Sequence, residues 1–128
     1  MVLDRNSLIN EARLKTELVK LDEGEVIVSE LSGPDYMKLY TDPANRKMVD
    51  GVETMEMGRF QAALIVYGAV DEKNERIFKD EDIDAVMRMS NTVFFKLAEA
   101  ARKVNGMSGE EIKNSNETEA DDSSSVSA

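Results

Sequence analysis

The spacing of apolar residues changes several times along the chain, and each change marks an element. Leu18, Val19 and Leu21 are followed, across the polar run Asp22-Glu23-Gly24-Glu25, by Val26, Ile27 and Val28. β-Branched residues on both sides of a turn sequence predict a hairpin, with strands over 16–21 and 26–31. Gly24 is the residue of that turn free to take positive φ. A lone hairpin is marginal in water, so it needs a helix beneath it or another strand beside it. Ile77-Phe78 is the candidate third strand. Before the hairpin, Leu8, Ile9 and Ala12 form the small apolar face of a short helix within 1–13, capped by Asp4 or Ser7.

Helical spacing begins after the hairpin. Ser32 or Gly33 caps a helix with Pro34 at its first position, Asp35 in its first turn, and Tyr36, Met37, Leu39 and Tyr40 on its apolar side. Pro43 disfavours helical geometry at Asp42 and ends it. Residues 44–51 are polar and read as irregular, or as one loose turn. The stretch 52–70 is the most apolar of the chain. Met55, Met57, Phe60, Ala62, Ala63, Leu64, Ile65, Val66, Tyr67 and Ala69 nearly encircle a helix axis. Such a helix is either the centre of its own core or covered by another subunit. Gly58 and Gly68 each weaken it by about 1 kcal/mol relative to Ala, and permit close packing.

Asp71 to Asn74 then form a polar turn. Asp80, Glu81, Asp82 and Asp84 put negative charge at the start of a long helix, where N–H groups are unpaired. Its apolar stripe is Ile83, Val86, Met87, Val93, Phe94, Leu97, Ala101 and Val104, with Phe94 and Leu97 expected against Phe60 and Leu64. Asn105-Gly106 is its left-handed stop. One more helical turn is expected over 107–112, capped by Ser108 with Glu111 three residues on. Beyond Lys113 the chain is acidic and serine-rich, with almost nothing to bury. The pattern therefore predicts an α+β, mainly α-helical fold: an N-terminal β-hairpin, with a short third strand, packed on about three to four helices. The single folded domain spans 1–113, and 114–128 is a disordered tail.

Composition narrows the chemistry. The chain has 128 residues, no cysteine, no histidine and a net charge of −10. Disulfides, thiolate metal sites and histidine acid–base chemistry are excluded. Such acidity disfavours nucleic acid as a partner, and solubility is its simplest meaning. No apolar run is long enough to span a bilayer and no signal peptide is recognisable, so the expected location is the cytosol of the producing cell.

No catalytic constellation is visible, and no cofactor or metal is expected. The acids from Asp80 to Asp84 lack the glycine turn and distal Glu of a calcium loop. Glu53 and Glu56, one turn apart on the expected helix, read as a surface pair. The eight methionines suit core filling or an adaptable binding surface. On a helical wheel from Ile83, Phe95 falls about a third of a turn off the main stripe, near Arg88 and Arg102. An aromatic flanked by arginines is a candidate subunit contact. With Phe60, Leu64 and Tyr67 of the all-apolar helix, these residues are the candidates for a partner or oligomer interface.

One succession of features resembles a known family. Leu14-Lys15-Thr16-Glu17, then Val26, Val28 and Glu30-Leu31-Ser32-Gly33, is similar to the opening of tail assembly chaperones of long-tailed, lambda-like bacteriophages. The later block is similar too: Val70-Asp71-Glu72, Ile77-Phe78, Asp80 to Asp82, the amphipathic helix, then Val104-Asn105-Gly106-Met107-Ser108 and Glu110. The resemblance implies a non-enzymatic protein that keeps the tape measure protein soluble in the host cytoplasm and is absent from the finished virion. It also implies a frameshifted, extended minority form that would recruit the tail tube protein. The all-round apolar helix over 52–70 and the second face at Arg88, Phe95 and Arg102 point in addition to a homo-oligomer. A structural connector or adaptor of the phage particle is the alternative. An acidic DNA mimic is disfavoured, because much of the acidity sits in the tail.

Overall fold

The computed structural model describes residues 1–107. Apart from Met107, the expected turn over 107–112, with its Ser108 cap, and the tail after Lys113 lie outside the described residues. In chain order the elements are α1 (Arg5–Glu11), β1 (Thr16–Leu21), β2 (Gly24–Ser29), α2 (Gly33–Thr41), β3 (Arg46–Val49), β4 (Val52–Met55), α3 (Met57–Gly68), β5 (Ala69–Val70), α4 (Ile83–Met87) and α5 (Asn91–Val104). Short 3-10 turns cover Pro43–Asn45 and Asp80–Asp82. The α+β class with an N-terminal hairpin on helices is as expected.

α3 is the hub. Phe60, Leu64 and Tyr67 are only 2%, 0% and 6% exposed, and every residue from Ala62 to Gly68 is buried. α2, α4 and α5 pack on it, and α5 also lies against β1 and β2. The apolar surround of α3 is thus covered within one chain, at the cross-section where all layers meet. Phe60, Leu64 and Leu97 share one core cluster, with Phe94 packed against it.

Four local readings change. The first sheet runs in the order β1-β2-β5, all antiparallel, so the third strand is Ala69-Val70 and not Ile77-Phe78. The chain leaves α3 directly into pairing with Val28 and Ile27. The Ile77 segment returns beside it: Arg76 bridges Val70, and the Ile77 N–H donates to the Ala69 carbonyl at 3.1 Å. In the first hairpin Leu21 pairs directly with Gly24, which leaves Asp22-Glu23 as the loop. Gly24 itself does not take positive φ.

The stretch 44–55 is a second hairpin, β3–β4, and α3 begins only at Met57, with Glu56 as its cap. Its turn is Asp50-Gly51, with φ of 52° and 80°. Two consecutive left-handed residues match the twist of an antiparallel pair, and Asp-Gly supplies them at low cost. Glu53 and Glu56 consequently do not share a helix. Glu53 lies 3.6 Å from Arg46, and Glu56 lies 3.6 Å from Lys47.

The long last helix is two helices. α4 stops at Met87, and Ser90 caps α5 by accepting the Val93 N–H at 3.2 Å. A serine hydroxyl offers the backbone an alternative partner and starts a new helix more readily than it continues an old one. The far end is as expected. Gly106 has φ of 74°, its N–H donates to the Lys103 carbonyl, and the Met107 N–H donates to the Arg102 carbonyl at 2.7 Å. This Schellman pair satisfies carbonyls that the helix leaves open, with Met107 buried beneath it.

Gly68 marks a close approach of α3 to β2. A Cβ there would sit 2.9 Å from the Ser29 carbonyl oxygen. Gly68→Ala is expected to destabilise the chain by about 1–3 kcal/mol, despite the better helix propensity of alanine, because backbone must move to admit the methyl. Chemical denaturation of the variant measures it, and an unchanged midpoint would show that α3 and β2 are further apart.

Candidate interaction surface

The side chains at the corner of α2, β3 and α3 are held by a polar network. Pro43 has no N–H to offer the Leu39 carbonyl, the partner it would have in a continuing helix. The buried Asn45 side chain takes that place, donating to the Leu39 carbonyl at 2.9 Å. Its oxygen accepts from Arg59 at 2.8 Å, and Arg59 also reaches Asp42 at 3.4 Å. Arg46 donates twice to the Tyr40 carbonyl. A second asparagine acts similarly at the other pole. Asn105 accepts the Leu31 N–H at 2.9 Å and donates to the Ala101 carbonyl at 2.8 Å, tying the end of α5 to the strand exit.

Tyr67 has Lys38 and Arg76 against its ring, with centroid distances of 5.2 and 5.0 Å. Burial, with the nearby Asp80 and Asp42 charges, pushes its hydroxyl pKa up, so it stays a neutral phenol. Asp80 accepts from Arg76 at 2.7 Å, and that bond holds its pKa below the usual carboxylate value. Asp82 accepts the Lys79 N–H at 2.7 Å. Asp80 and Asp82 of the acidic run are thus engaged with their own turn. Among the described residues, no three acidic side chains converge as metal ligands would.

What remains open is apolar surface; besides Met37 on α2 and Ile77 after β5, it falls on three parts of the fold. Around α1 and β1, Leu3, Leu8, Ile9, Leu14 and Leu18 are exposed, and α1 buries none of its residues. At the tip of the second hairpin, Met48, Val49 and Val52 are exposed. On the α4–α5 side, Phe95 is exposed on α5, and exposed Met87 lines a cleft of about 240 Å³ with Gly58, Met89, Asn91 and Phe94. Apolar surface marks interaction sites where exposed side chains form a patch, and less so where they stand singly.

The residues singled out from the sequence therefore divide. Phe60, Leu64 and Tyr67 are enclosed by the chain's own core and offer a partner almost no surface. Phe95 is 55% exposed on α5. Arg102 is buried beside it, donating to the Gln61 side chain at 2.6 Å, with its guanidinium 5.9 Å from the Phe95 ring centroid. It supports Phe95 from beneath and is not itself a free contact. Arg88 is exposed just past the end of α4, and the break at Ser90 removes it from the helical wheel that grouped it with Phe95. The α1–β1 surface and the second hairpin were missed. Asp50-Gly51 was the available signal for the hairpin; exposure of Leu8 and Ile9 has no local signal, since an amphipathic helix normally buries that face.

No family model matches the chain, and no curated protein matches it. A solved structure does: that of the tail assembly chaperone of bacteriophage HK97, with a TM-score of 0.53 and 13% sequence identity. The likeness covers 80% of this chain and 97% of that one. The two chains share a fold. The HK97 chaperone is thus spanned almost end to end. At this identity it speaks for the backbone arrangement, and no residue role is carried across.

Proposed function

We propose that this chain is a phage tail assembly chaperone that binds the tape measure protein and keeps it soluble while the tail tube assembles. The observation that supports it most is the HK97 chaperone fold over 97% of that protein's length. Exposed apolar groups on an otherwise acidic chain agree with this reading. They offer contacts to an apolar client while the net charge keeps the complex dispersed. The role is non-enzymatic, needs no cofactor, and is carried out in the cytoplasm of the bacterial host. The protein self-associates, and a frameshift-extended form would recruit the tail tube protein. Phe95, propped by Arg102, with exposed Arg88 and the methionine-lined cleft of the α4–α5 side, form the client-binding side. Flexible methionine side chains accept many apolar sequences, as a protein coating a long client requires.

Co-expression with the tape measure protein of the same phage tests the role. The client is expected in the soluble fraction, co-purifying with this chain, and insoluble without it. A client equally soluble alone would overturn the reading. Mass spectrometry of finished particles is expected to find none of this chain; stoichiometric recovery would make it a structural connector instead. Phe95→Asp should leave the circular dichroism spectrum unchanged, because the side chain is half exposed. It should weaken client binding about tenfold or more, since a charge is forced against an apolar contact. Undiminished binding by the folded variant would remove this face from the interaction.

A further inference from the structure

β1 is an edge strand. Among the described residues it pairs with β2 on one side only, and the sheet order β1-β2-β5 places no strand on its other side. An open edge presents unpaired N–H and C=O groups and accepts another strand. Along β1, Glu17, Val19 and Leu21 turn toward the core, while Thr16, Leu18 and Lys20 are exposed. Leu18 is 53% exposed. We propose that this edge pairs antiparallel with β1 of a second copy, joining two three-stranded sheets into one across a two-fold axis at Leu18.

Opposed residues in an antiparallel pair share a face of the sheet. A symmetric pairing that keeps both cores on one side must therefore centre on a residue, not between two. Centred on Leu18, the register sets the two Leu18 side chains together on the exposed face and Lys20 opposite Thr16. Centred on Val19, it would set Lys20 against Leu18, which leaves both poorly matched.

Charge selects a second copy as the occupant. The lead-in to β1 is basic, with Arg13 and Lys15, and the loop at its other end is acidic, with Asp22 and Glu23. All four are exposed. Antiparallel self-pairing brings Arg13 and Lys15 of each copy beside Glu23 and Asp22 of the other, and symmetry repeats the match at both ends. A parallel arrangement would set like charges together. The strand is thus complementary to itself, as a two-fold interface requires.

The proposal gives a place to the self-association in the chaperone reading, and it is tested on the isolated full-length chain without any client. Sedimentation equilibrium is expected to show a dimer or an assembly built from dimers. Leu18→Lys puts two ammonium groups at the axis and should weaken the dimer about tenfold or more, with the monomer still folded by circular dichroism. Arg13→Glu and Glu23→Arg, each alone, should weaken it several-fold, and the double variant should restore it. A wild-type chain that stays monomeric at every concentration overturns the edge pairing and the self-association together. An assembly indifferent to all three changes, or a double variant no better than the singles, overturns the edge pairing alone. In both of those cases the client experiment still decides the chaperone reading.

Discussion

Leu64→Ala is expected to destabilise the chain by about 2–5 kcal/mol, enough to unfold a marginally stable domain. Leu64 is fully buried on α3, the helix on which α2, α4, α5 and β2 all pack. Truncation removes apolar burial and leaves a cavity that neighbours on several sides cannot close, since each is held by its own element. Urea unfolding should show a lower midpoint with an unchanged slope. A loss below about 1 kcal/mol would mean that the site collapses around the gap and that α3 is not the rigid centre. Partner binding is the contrasting readout. A variant that folds at low temperature should bind the client normally, because Leu64 offers the partner no surface.

Asn45→Ala is expected to cost about 2–4 kcal/mol, through hydrogen bonding and not volume. The amide supplies the donor that Pro43 cannot, and without it the Leu39 carbonyl is left buried and unpaired. Arg59 also loses its 2.8 Å acceptor and keeps only the longer contact to Asp42. Asn45→Asp is the informative companion. It retains an acceptor for Arg59 but removes the donor to Leu39, so it should recover only part of the loss, and less as pH rises and the carboxylate ionises in a buried site. Denaturant midpoints for the pair measure this. If the aspartate variant matches wild type at neutral pH, the Leu39 bond contributes nothing.

Phe95 and the core leucines show how far a helical wheel reaches. Periodicity marked Phe95 as lying off the main stripe of α5, and the structure exposes it. The same reasoning grouped Arg88 with it by running one helix through Ser90. The apolar residues on either side of 88–92 are compatible with one axis, yet a Ser-Asn-Thr run offers the backbone competing hydrogen bonds, and the chain restarts there. For α3 the pattern posed two alternatives, since an all-round apolar helix is covered either by its own chain or by another. Sequence spacing cannot choose between these, because it counts apolar positions and not what lies against them.

Local chemistry alone narrowed the first two caps to Asp4 or Ser7 and to Ser32 or Gly33, of which the structure uses Asp4 and Ser32, and it was enough for the stop at Asn105-Gly106 and the pairing of the first hairpin. Each of these rests on groups a few residues apart, where sequence distance and spatial distance agree. The second hairpin was equally local, written in Asp50-Gly51 between two short segments, and helical periodicity over 52–70 obscured it. The tertiary structure alone decided that Ala69-Val70 is the third strand, since two residues carry no period and pair with β2 only because α3 ends beside it. It also decided that Asn45 completes the helix that Pro43 cuts short, and that no other described residue covers α1 or the β1 edge. These depend on where distant elements come to lie, and no residue's local preference encodes that.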